Sequence, residues 1–305
     1  MATFRPVIAR RGTSSMRCAC IDIGSNTTRL LVADIASGRL AAIVQQRAFT
    51  HIGARLDATG AIPATTIAEV AQVVSSQREA AAAAGAAQLR VVATAAIRRA
   101  GNRDELLAAL HRRAGVRVVI LSGHDEARLA FAGATRTLPE PPPGTIAVVD
   151  VGGMSTEIAV GTIAHGGRWS HSFAIGSGAL ARRCRDDPPS AADLQAMRTA
   201  AAAAFAGTEL PAADEAVAVG GSAASLPTLV GAVLDAAALE RALAVLCAAP
   251  AAEVARHHGL APERTHLLPA GILVLDAVAQ RLGMPLRIGR GGLREGVILE
   301  LAAGA

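Results

Sequence analysis

Residues 20–35 read CIDIGSNTTRLLVADI, and residues 148–161 read VVDVGGMSTEIAVG. Each stretch has an apolar run ending in an acidic residue, a turn rich in glycine and hydroxyl side chains, and a second apolar run. These features predict a hairpin of two buried strands joined by a tight turn. The aspartates lie 128 residues apart, about one domain length, so we predict one hairpin used twice, once per domain. Three aligned pairs are identical: Asp22 and Asp150, Gly24 and Gly152, Thr28 and Thr156.

The composition of the chain favours two domains and a small anionic ligand. With 305 residues, of which 51% are hydrophobic, the chain is long enough for two compact cores. Aromatic residues make up only 2%, so stacking surfaces for single-stranded nucleic acid are poorly supported. The formal net charge is +5, and all of the Lys+Arg positive charge is on arginines spread along the chain. Such charge suits a polyanionic small substrate as well as a nucleic-acid surface, and we expect no nucleic-acid partner.

The cysteines and the N-terminus predict a cytoplasmic protein. Four cysteines, at positions 18, 20, 184 and 247, form no C-x-x-C pair, and the first two are too close for an ordinary disulfide. We expect reduced thiols, as found in the cytosol. Residues 1–16 lack the apolar core of a secretory signal and are predicted to be a flexible lead-in. No apolar run reaches membrane-spanning length, so no membrane partner is expected.

Alternating strand and helix patterns predict an α/β fold with mixed β-sheets flanked by helices. Helices are expected at 63–84 and at 102–113. Asn102 and Glu105 have the spacing of a capping box at the start of the second helix. Residues 116–123 are expected to form a buried strand.

A proline-rich stretch predicts the domain boundary. Residues 138–144 read LPEPPPG, which cannot continue a helix or a central strand. We therefore predict a first domain over 17–137 and a second over 138–305, whose last helix is free to pack back on the first.

The two repeated turns have the chemistry of a phosphate site. Glycines let the backbone approach an anion, and their N–H groups can point at it. Acidic residues at strand ends can hold a divalent cation, which offsets phosphate charge. A third glycine-rich turn, VGGSAAS at 219–225, follows a predicted strand and opens a helix, a natural anion site. One such turn alone is more often only a hairpin turn, but two matched turns at domain spacing favour binding.

Several segments together resemble the exopolyphosphatase / guanosine pentaphosphate phosphatase (Ppx/GppA) family, in its short two-domain form, within the actin-like ATPase superfamily. In chain order they are IDIGSNTTRLLVADI, VVATAAIRRAGNRDEL, VILSGHDEARLAFAGA, VVDVGGMSTEIAVG, SFAIGSGALARRC, AVGGSAASLPTL, LLPAGILVLDAVAQRLG and GLREGVILEL. The most specific segment is SGHDEARLAF. The resemblance implies two actin-like (ribonuclease H-like) domains around a cleft, where a terminal phosphoanhydride bond is hydrolysed with Mg²⁺ or Mn²⁺.

The resemblance also implies roles for individual residues. Glu126 would be the general base that orients and deprotonates the attacking water. Without the resemblance, Asp125 and Glu126 are also explained as favourable charge at a helix N-terminus. Asp150 and Glu157 would be catalytic carboxylates that hold the metal, and Arg98 would contact phosphate. The predicted phosphate-binding set is Asp22, Gly24, Ser25, Asn26, Thr27, Arg98, Gly152, Gly153, Met154, Ser155, Thr156, Gly221 and Ser222.

Some positions depart from the family pattern. Met154 replaces a glycine and is expected to narrow the second phosphate turn. Ala179 stands where an arginine is usual, and Arg290 and Gly291 stand where Asp-Arg is usual. The carboxylates are retained, so we expect hydrolysis.

Inorganic polyphosphate is the expected substrate, with guanosine penta- or tetraphosphate as the alternative. Longer family members carry C-terminal helical domains that this sequence lacks, which favours short polyphosphate chains or a nucleotide. Two other classes stay open: a kinase or ATPase of the superfamily, and a non-catalytic regulator that binds polyphosphate or an alarmone. A homodimer is expected.

Overall fold

The computed structural model describes residues 16–304 apart from 37, 57, 58 and 141. The predicted lead-in over 1–16 lies outside the described residues except for Met16, which begins the first strand. No helix in this described part is both long and apolar enough to cross a membrane.

The first half of the chain forms a five-stranded sheet, the first sheet. Its strands are β1 (Met16–Ile23), β2 (Thr27–Ala36), β3 (Arg39–Phe49), β4 (Gln88–Ala93) and β5 (Val118–Ile120). The helices are α1 (Ile52–Arg55), α2 (Ala64–Ala83), α3 (Ala95–Arg99), α4 (Arg103–Ala114) and α5 (Gly123–Arg136). The strand order is β3-β2-β1-β4-β5; β1, β2 and β3 are antiparallel neighbours, and β4 and β5 run parallel to β1.

The second half forms a six-stranded sheet, the second sheet. Its strands are β6 (Ile146–Val151), β7 (Thr156–Thr162), β8 (Gly166–Phe173), β9 (Glu215–Val219), β10 (Val233–Leu234) and β11 (Leu286–Ile288). The helices are α6 (Ser177–Ala181), α7 (Ala191–Phe205), α8 (Gly220–Ala223), α9 (Pro227–Val230), α10 (Ala236–Leu246), α11 (Ala251–His258), α12 (Pro262–Thr265), α13 (Leu268–Leu282) and α14 (Leu293–Ala303).

The second sheet repeats the topology of the first. Read from its β8 edge, the order is β8-β7-β6-β9-β11, with β10 added outside. Strands β6, β7 and β8 are antiparallel neighbours. Strand β9 runs parallel to β6, and β11 runs parallel to β9. The internal repeat in the sequence is therefore a repeat of the fold, and the predicted α/β class with two mixed sheets is confirmed.

Strand β1 shows why the apolar runs in the sequence are continuous. Ala19, Ile21 and Ile23 pack in one core with residues of α2, whereas Cys18 and Cys20 pack in another with residues of α14. A central strand covered on both faces needs apolar side chains at successive positions rather than at alternate ones.

Helices α5 and α14 lie against each other between the two sheets. Helix α5 packs on β7 and β8 of the second sheet, and α14 packs on β1 of the first. Their backbones approach closely because glycines face the contact. A Cβ at Gly133 would meet the Gly292 carbonyl oxygen, and a Cβ at Gly296 would meet the Leu129 carbonyl oxygen.

Two local predictions differ from the structure. Asn102 does precede α4, but its side chain makes no cap hydrogen bond. It instead accepts from the Ile62 N–H at 2.8 Å and donates to the Ile62 carbonyl oxygen at 3.0 Å, so it fixes the loop before α2. The buried strand expected over 116–123 is only Val118–Ile120, and it is partly exposed because it lies at the edge of the sheet and pairs with β4 alone.

Replacing Gly296 by alanine tests the helix contact. A backbone carbonyl cannot move aside as a flexible side chain can, so Gly296→Ala should lower the free energy of unfolding by about 1–3 kcal/mol. Gly101→Ala is the control, since a Cβ there meets nothing within 4 Å. Equal urea midpoints for the two variants would contradict the close packing of α5 and α14.

Candidate active site

The two glycine turns are built alike. The Gly24 N–H donates to the Thr27 carbonyl oxygen at 3.0 Å, and the Gly152 N–H donates to the Ser155 carbonyl oxygen at 3.0 Å. Both donors and both acceptors are related by the same spacing of 128 residues. The repeat therefore holds at the level of single hydrogen bonds.

Each sheet presents a row of cross-strand neighbours to the space between the sheets. In the first sheet the row crosses β1, β2 and β3: Asp22, Arg29 and Arg47. In the second sheet the row crosses β6, β7 and β8: Asp150, Glu157 and Ser172. The Ser172 hydroxyl donates to Glu157 Oε1 at 2.7 Å, which orients that carboxylate. We call these the basic row and the acidic row.

The rows border a cleft with a cavity volume of about 280 Å³. Most of the residues predicted from the sequence lie on its wall, including all three turns. They are Asp22, Gly24, Ser25, Asn26, Thr27, Glu126, Asp150, Gly152, Gly153, Ser155, Glu157, Gly221 and Ser222. The structure thus brings together in one place side chains from both halves of the chain.

Three predicted residues, Met154, Thr156 and Arg98, are not on the cleft wall. Thr156 is buried, and its hydroxyl donates to the Ile175 carbonyl oxygen at 2.7 Å. Arg98 donates to the Leu121 carbonyl oxygen at 2.6 Å and forms an ion pair with Glu126. Arg98 therefore contacts the predicted base, and its contact with phosphate stays a prediction.

Met154 does not narrow the second turn, contrary to expectation. Its side chain leaves the cleft and packs in the core of the first sheet, because burial of a thioether is favourable. A Cβ at Gly53 of α1 would lie 3.0 Å from its sulfur. Arg182 donates to the Gly53 carbonyl oxygen at 3.3 Å beside this contact. Met154, Gly53 and Arg182 help line a second cavity of about 170 Å³.

Helix α5 gives its two adjacent acidic residues different roles. The Ser122 hydroxyl oxygen accepts from the Asp125 N–H at 3.1 Å, and the hydroxyl group lies 2.6 Å from Asp125 Oδ2. Asp125 is half-exposed at the helix N-terminus, where negative charge is stabilised. Glu126, the next residue, is 6% exposed and faces the cleft. The helix-charge explanation thus fits Asp125, and the position of Glu126 fits the predicted base.

Four of the carboxyl groups on the cleft wall have raised pKa values, chiefly because they are buried. Burial and the nearby Glu157 raise the pKa of Glu126, which Arg98 opposes only in part. Burial also raises the pKa of Glu157. Burial and the Asp22 carboxylate raise the pKa of Asp150 to about 6, and burial raises the pKa of Asp22.

Arginines missed by the sequence analysis form another part of the wall. Arg264 on α12 is 8% exposed, and burial together with Arg29 and Arg47 lowers its pKa to about 9. Its buried Nε has no hydrogen-bond partner among the described residues. Gly221 is glycine because a Cβ there would collide with the Arg264 guanidinium. Arg29 aligns with Glu157 in the repeat, and this alignment could have identified Arg29 as a site residue. No repeat or local motif indicates Arg264.

The positions that depart from the family pattern also lie around the cleft. Arg290 and Gly291 are on its wall. A Cβ at Gly291 would lie 2.5 Å from the Gly133 carbonyl oxygen, so this glycine permits the approach of α5. The Ala179 N–H donates to the Gly153 carbonyl oxygen at 2.8 Å and supports the second turn. Other wall residues outside the predicted set are glycine or polar (Gln45, Thr94, Ser177, Gly220, Gly289, Gly292, Arg294 and Glu295) or apolar (Val151, Ala224, Leu267, Leu268 and Leu293).

The carboxylates fit a divalent cation that is shared with substrate. Asp22 Oδ1 is buried and has no hydrogen-bond partner among the described residues. Within residues 16–304, masked positions aside, no three His, Cys, Asp or Glu side chains are grouped to hold a metal alone. Magnesium commonly uses one or two carboxylates together with substrate phosphates and water. Asp150 and Glu157, adjacent in the acidic row, suit that mode with Asp22 opposite.

A cleft between two repeated units, walled by glycine turns, guanidinium groups and carboxylates, defines a two-domain α/β enzyme that acts on phosphate groups. The Ppx/GppA phosphatase family model matches residues 31–304. The chain belongs to this family, and it is a phosphoanhydride hydrolase.

Alignments with known relatives cover nearly the whole chain. Exopolyphosphatase 1 of Mycobacterium leprae is 30% identical over 304 residues, which cover 93% of this chain and 89% of that protein. The crystal structure of the Aquifex aeolicus Ppx/GppA family member is 27% identical, with a TM-score of 0.81 over 95% of this chain and 99% of that one. An exopolyphosphatase structure from Cytophaga hutchinsonii, 20% identical, shares the fold with a TM-score of 0.85 over 95% and 99% of the two chains.

The raised carboxyl pKa values predict a pH-dependent stability of the metal-free protein. A carboxyl group whose pKa is higher in the folded state stabilises the fold at low pH, and this stabilisation is lost as pH rises through the folded-state value. Urea midpoints measured in EDTA should therefore decrease as the pH is raised from about 5 to about 8. Glu126→Gln, which is neutral at every pH, should flatten this dependence, whereas Asp125→Asn should not. An unchanged slope in Glu126→Gln would contradict the electrostatic coupling of the cluster.

Proposed function

We propose that the enzyme is an exopolyphosphatase that releases terminal orthophosphate from inorganic polyphosphate with Mg²⁺. The composition of the cleft wall carries this proposal, because five arginines and three glycine-rich turns line it and no described wall residue is aromatic. A chain of phosphates needs cationic and N–H donors along its length, whereas a guanine or adenine ring is normally held by apolar and aromatic side chains. Several mycobacterial relatives are named exopolyphosphatase 1 or 2, which supports this substrate.

Different parts of the cleft wall bind different phosphates of the substrate. Turn N–H groups and side-chain hydroxyls of Ser25, Thr27 and Ser155 hold the terminal phosphate. Arg29 and Arg264 neutralise the charge of the following phosphates, which explains why two guanidinium groups lie close together. Such fixed donors stabilise the charge that develops on the phosphoryl group during transfer.

Glu126 is the group that accepts the proton of the attacking water. Its burial makes it a stronger proton acceptor once ionised, and the ion pair with Arg98 favours the ionised form. Ser172 keeps the neighbouring Glu157 in place through its hydrogen bond. Asp150 and Glu157 would hold Mg²⁺, which supplies charge neutralisation of the phosphate oxygens.

Parallel orthophosphate-release assays test the reaction and the role of Glu126. Short polyphosphate should be hydrolysed faster than guanosine pentaphosphate or ATP. Glu126→Gln should lower kcat by about 10²–10⁴-fold, the usual effect of losing a general base. Asp125→Asn is the matched control, because it changes the adjacent carboxylate and keeps a side-chain oxygen that can accept from the Ser122 hydroxyl. Turnover by Glu126→Gln at the wild-type rate would remove that residue from the mechanism, and faster release from guanosine pentaphosphate would make that nucleotide the substrate.

Titration with Mg²⁺ tests the metal side of the proposal. Asp150→Asn keeps the shape of the side chain and removes a cation-binding charge, so the Mg²⁺ concentration for half-maximal rate should rise at least about tenfold. Asp34→Asn, at a partly exposed position of β2 that is paired with Arg17 and is not on the cleft wall, should leave this concentration unchanged. Hydrolysis that continues unaltered in excess EDTA would contradict the need for a metal.

A further inference from the structure

The edge strand β3 carries charge that the structure does not neutralise. Arg47 on β3 lies directly opposite Arg29 on β2. Like charges in this cross-strand position repel each other and destabilise a sheet. Arg47 has no carboxylate or hydrogen-bond partner among the described residues, and its side chain lies at the cleft wall. An anion placed between the two guanidinium groups would convert this repulsion into attraction.

A third guanidinium group converges on the same place from the second half of the chain. Arg29 and Arg47 both depress the pKa of Arg264, so the three side chains lie within electrostatic reach of one another. The buried Nε of Arg264 lacks a partner among the described residues. Asp22 is the cross-strand neighbour of Arg29 on its other side, and it opposes only part of this charge. Three guanidinium groups beside one neighbouring carboxylate leave positive charge that an anionic substrate can neutralise.

The basic row also gives the bound anion a direction. Asp22, Arg29 and Arg47 lie on neighbouring strands, so the row extends over two strand spacings, about 10 Å. Its Asp22 end is at the carboxylates, and its Arg47 end is at the edge of the first sheet, next to solvent. Gln45, two residues before Arg47 and thus on the same face of β3, is also on the cleft wall.

We propose that Gln45 and Arg47 form a distal phosphate subsite, over which the polyphosphate chain leaves the cleft across the edge strand β3. This inference rests on the proposed exopolyphosphatase function. The subsite binds internal phosphates of the chain, several units from the bond that is hydrolysed. It makes Arg47 a residue that determines preference for chain length rather than the rate of bond cleavage.

Kinetics on substrates of different length test the subsite. In Arg47→Ala, the KM for a long polyphosphate should rise about tenfold, the effect of losing one partly exposed charge-assisted hydrogen bond. For the shortest polyphosphate that the wild-type enzyme hydrolyses, KM should rise much less, and kcat should stay close to wild type for both. Arg47→Glu should enlarge the same difference. Arg39→Ala, at the opposite exposed end of β3, is the control and should change neither KM.

Salt adds an independent readout. Binding between exposed charges weakens as ionic strength rises. The KM of the wild-type enzyme for long polyphosphate should therefore rise with salt more steeply than that of Arg47→Ala. An equal rise of KM at every chain length in Arg47→Ala, or no rise at all, would overturn the proposal.

Calorimetric binding separates failure of the subsite from failure of the proposed function. Long polyphosphate is titrated into Glu126→Gln and into the double variant Glu126→Gln/Arg47→Ala. Weaker binding by the double variant supports the subsite, whether or not the wild-type enzyme hydrolyses polyphosphate. Absence of hydrolysis by the wild-type enzyme would overturn only the proposed function. Equal binding by the two variants overturns the subsite, whatever the turnover of the wild-type enzyme.

Discussion

The backbone contact between α5 and α14 is the constraint on which the site depends. Each helix follows one sheet in the chain, and each packs toward the other sheet. Because Gly133 and Gly296 have no side chain, the two backbones approach closely, and this contact sets the separation of the two sheets. That separation places the first-sheet turn and the second-sheet turn on one cleft. It also places Glu126, on the first turn of α5, beside both.

The repeated hairpins share their backbone and differ in charge. Position by position, Arg29 of the first hairpin corresponds to Glu157 of the second. The turns therefore offer the same N–H geometry from two sides, whereas the neighbouring strands offer cations from one side and carboxylates from the other. A duplicated fold thus yields an asymmetric site, in which a polyanion and a divalent cation can be held together without either half changing its shape.

The sequence predicted features that depend on local or repeated patterns. Apolar runs, turn glycines and the spacing of Asp22 and Asp150 predicted the fold class and the two hairpins correctly, and the family is confirmed. Asn102 was placed correctly before α4, but its partner Ile62 lies forty residues earlier, and no capping pattern could predict that contact.

Features that depend on contacts between the sheets could not be predicted from local pattern. The family resemblance implied a phosphate contact for Arg98, which stays a prediction, but no local pattern indicated its contacts with Leu121 and Glu126. Arg264 belongs to a four-residue helix with no motif of its own, and its importance follows only from the space left at Gly221. The catalytic roles of Glu126, Asp150 and Glu157 stay predictions, for which the geometry supplies the physical reasons.

Met154 links the second phosphate turn to the core of the first sheet. It belongs to the second phosphate turn, yet its side chain is part of the first-sheet core. Drawing the turns apart would return this side chain to water, at a cost of about 1.5–3 kcal/mol. Burial of one thioether therefore opposes separation of the two phosphate turns, although the side chain itself is not part of the cleft wall.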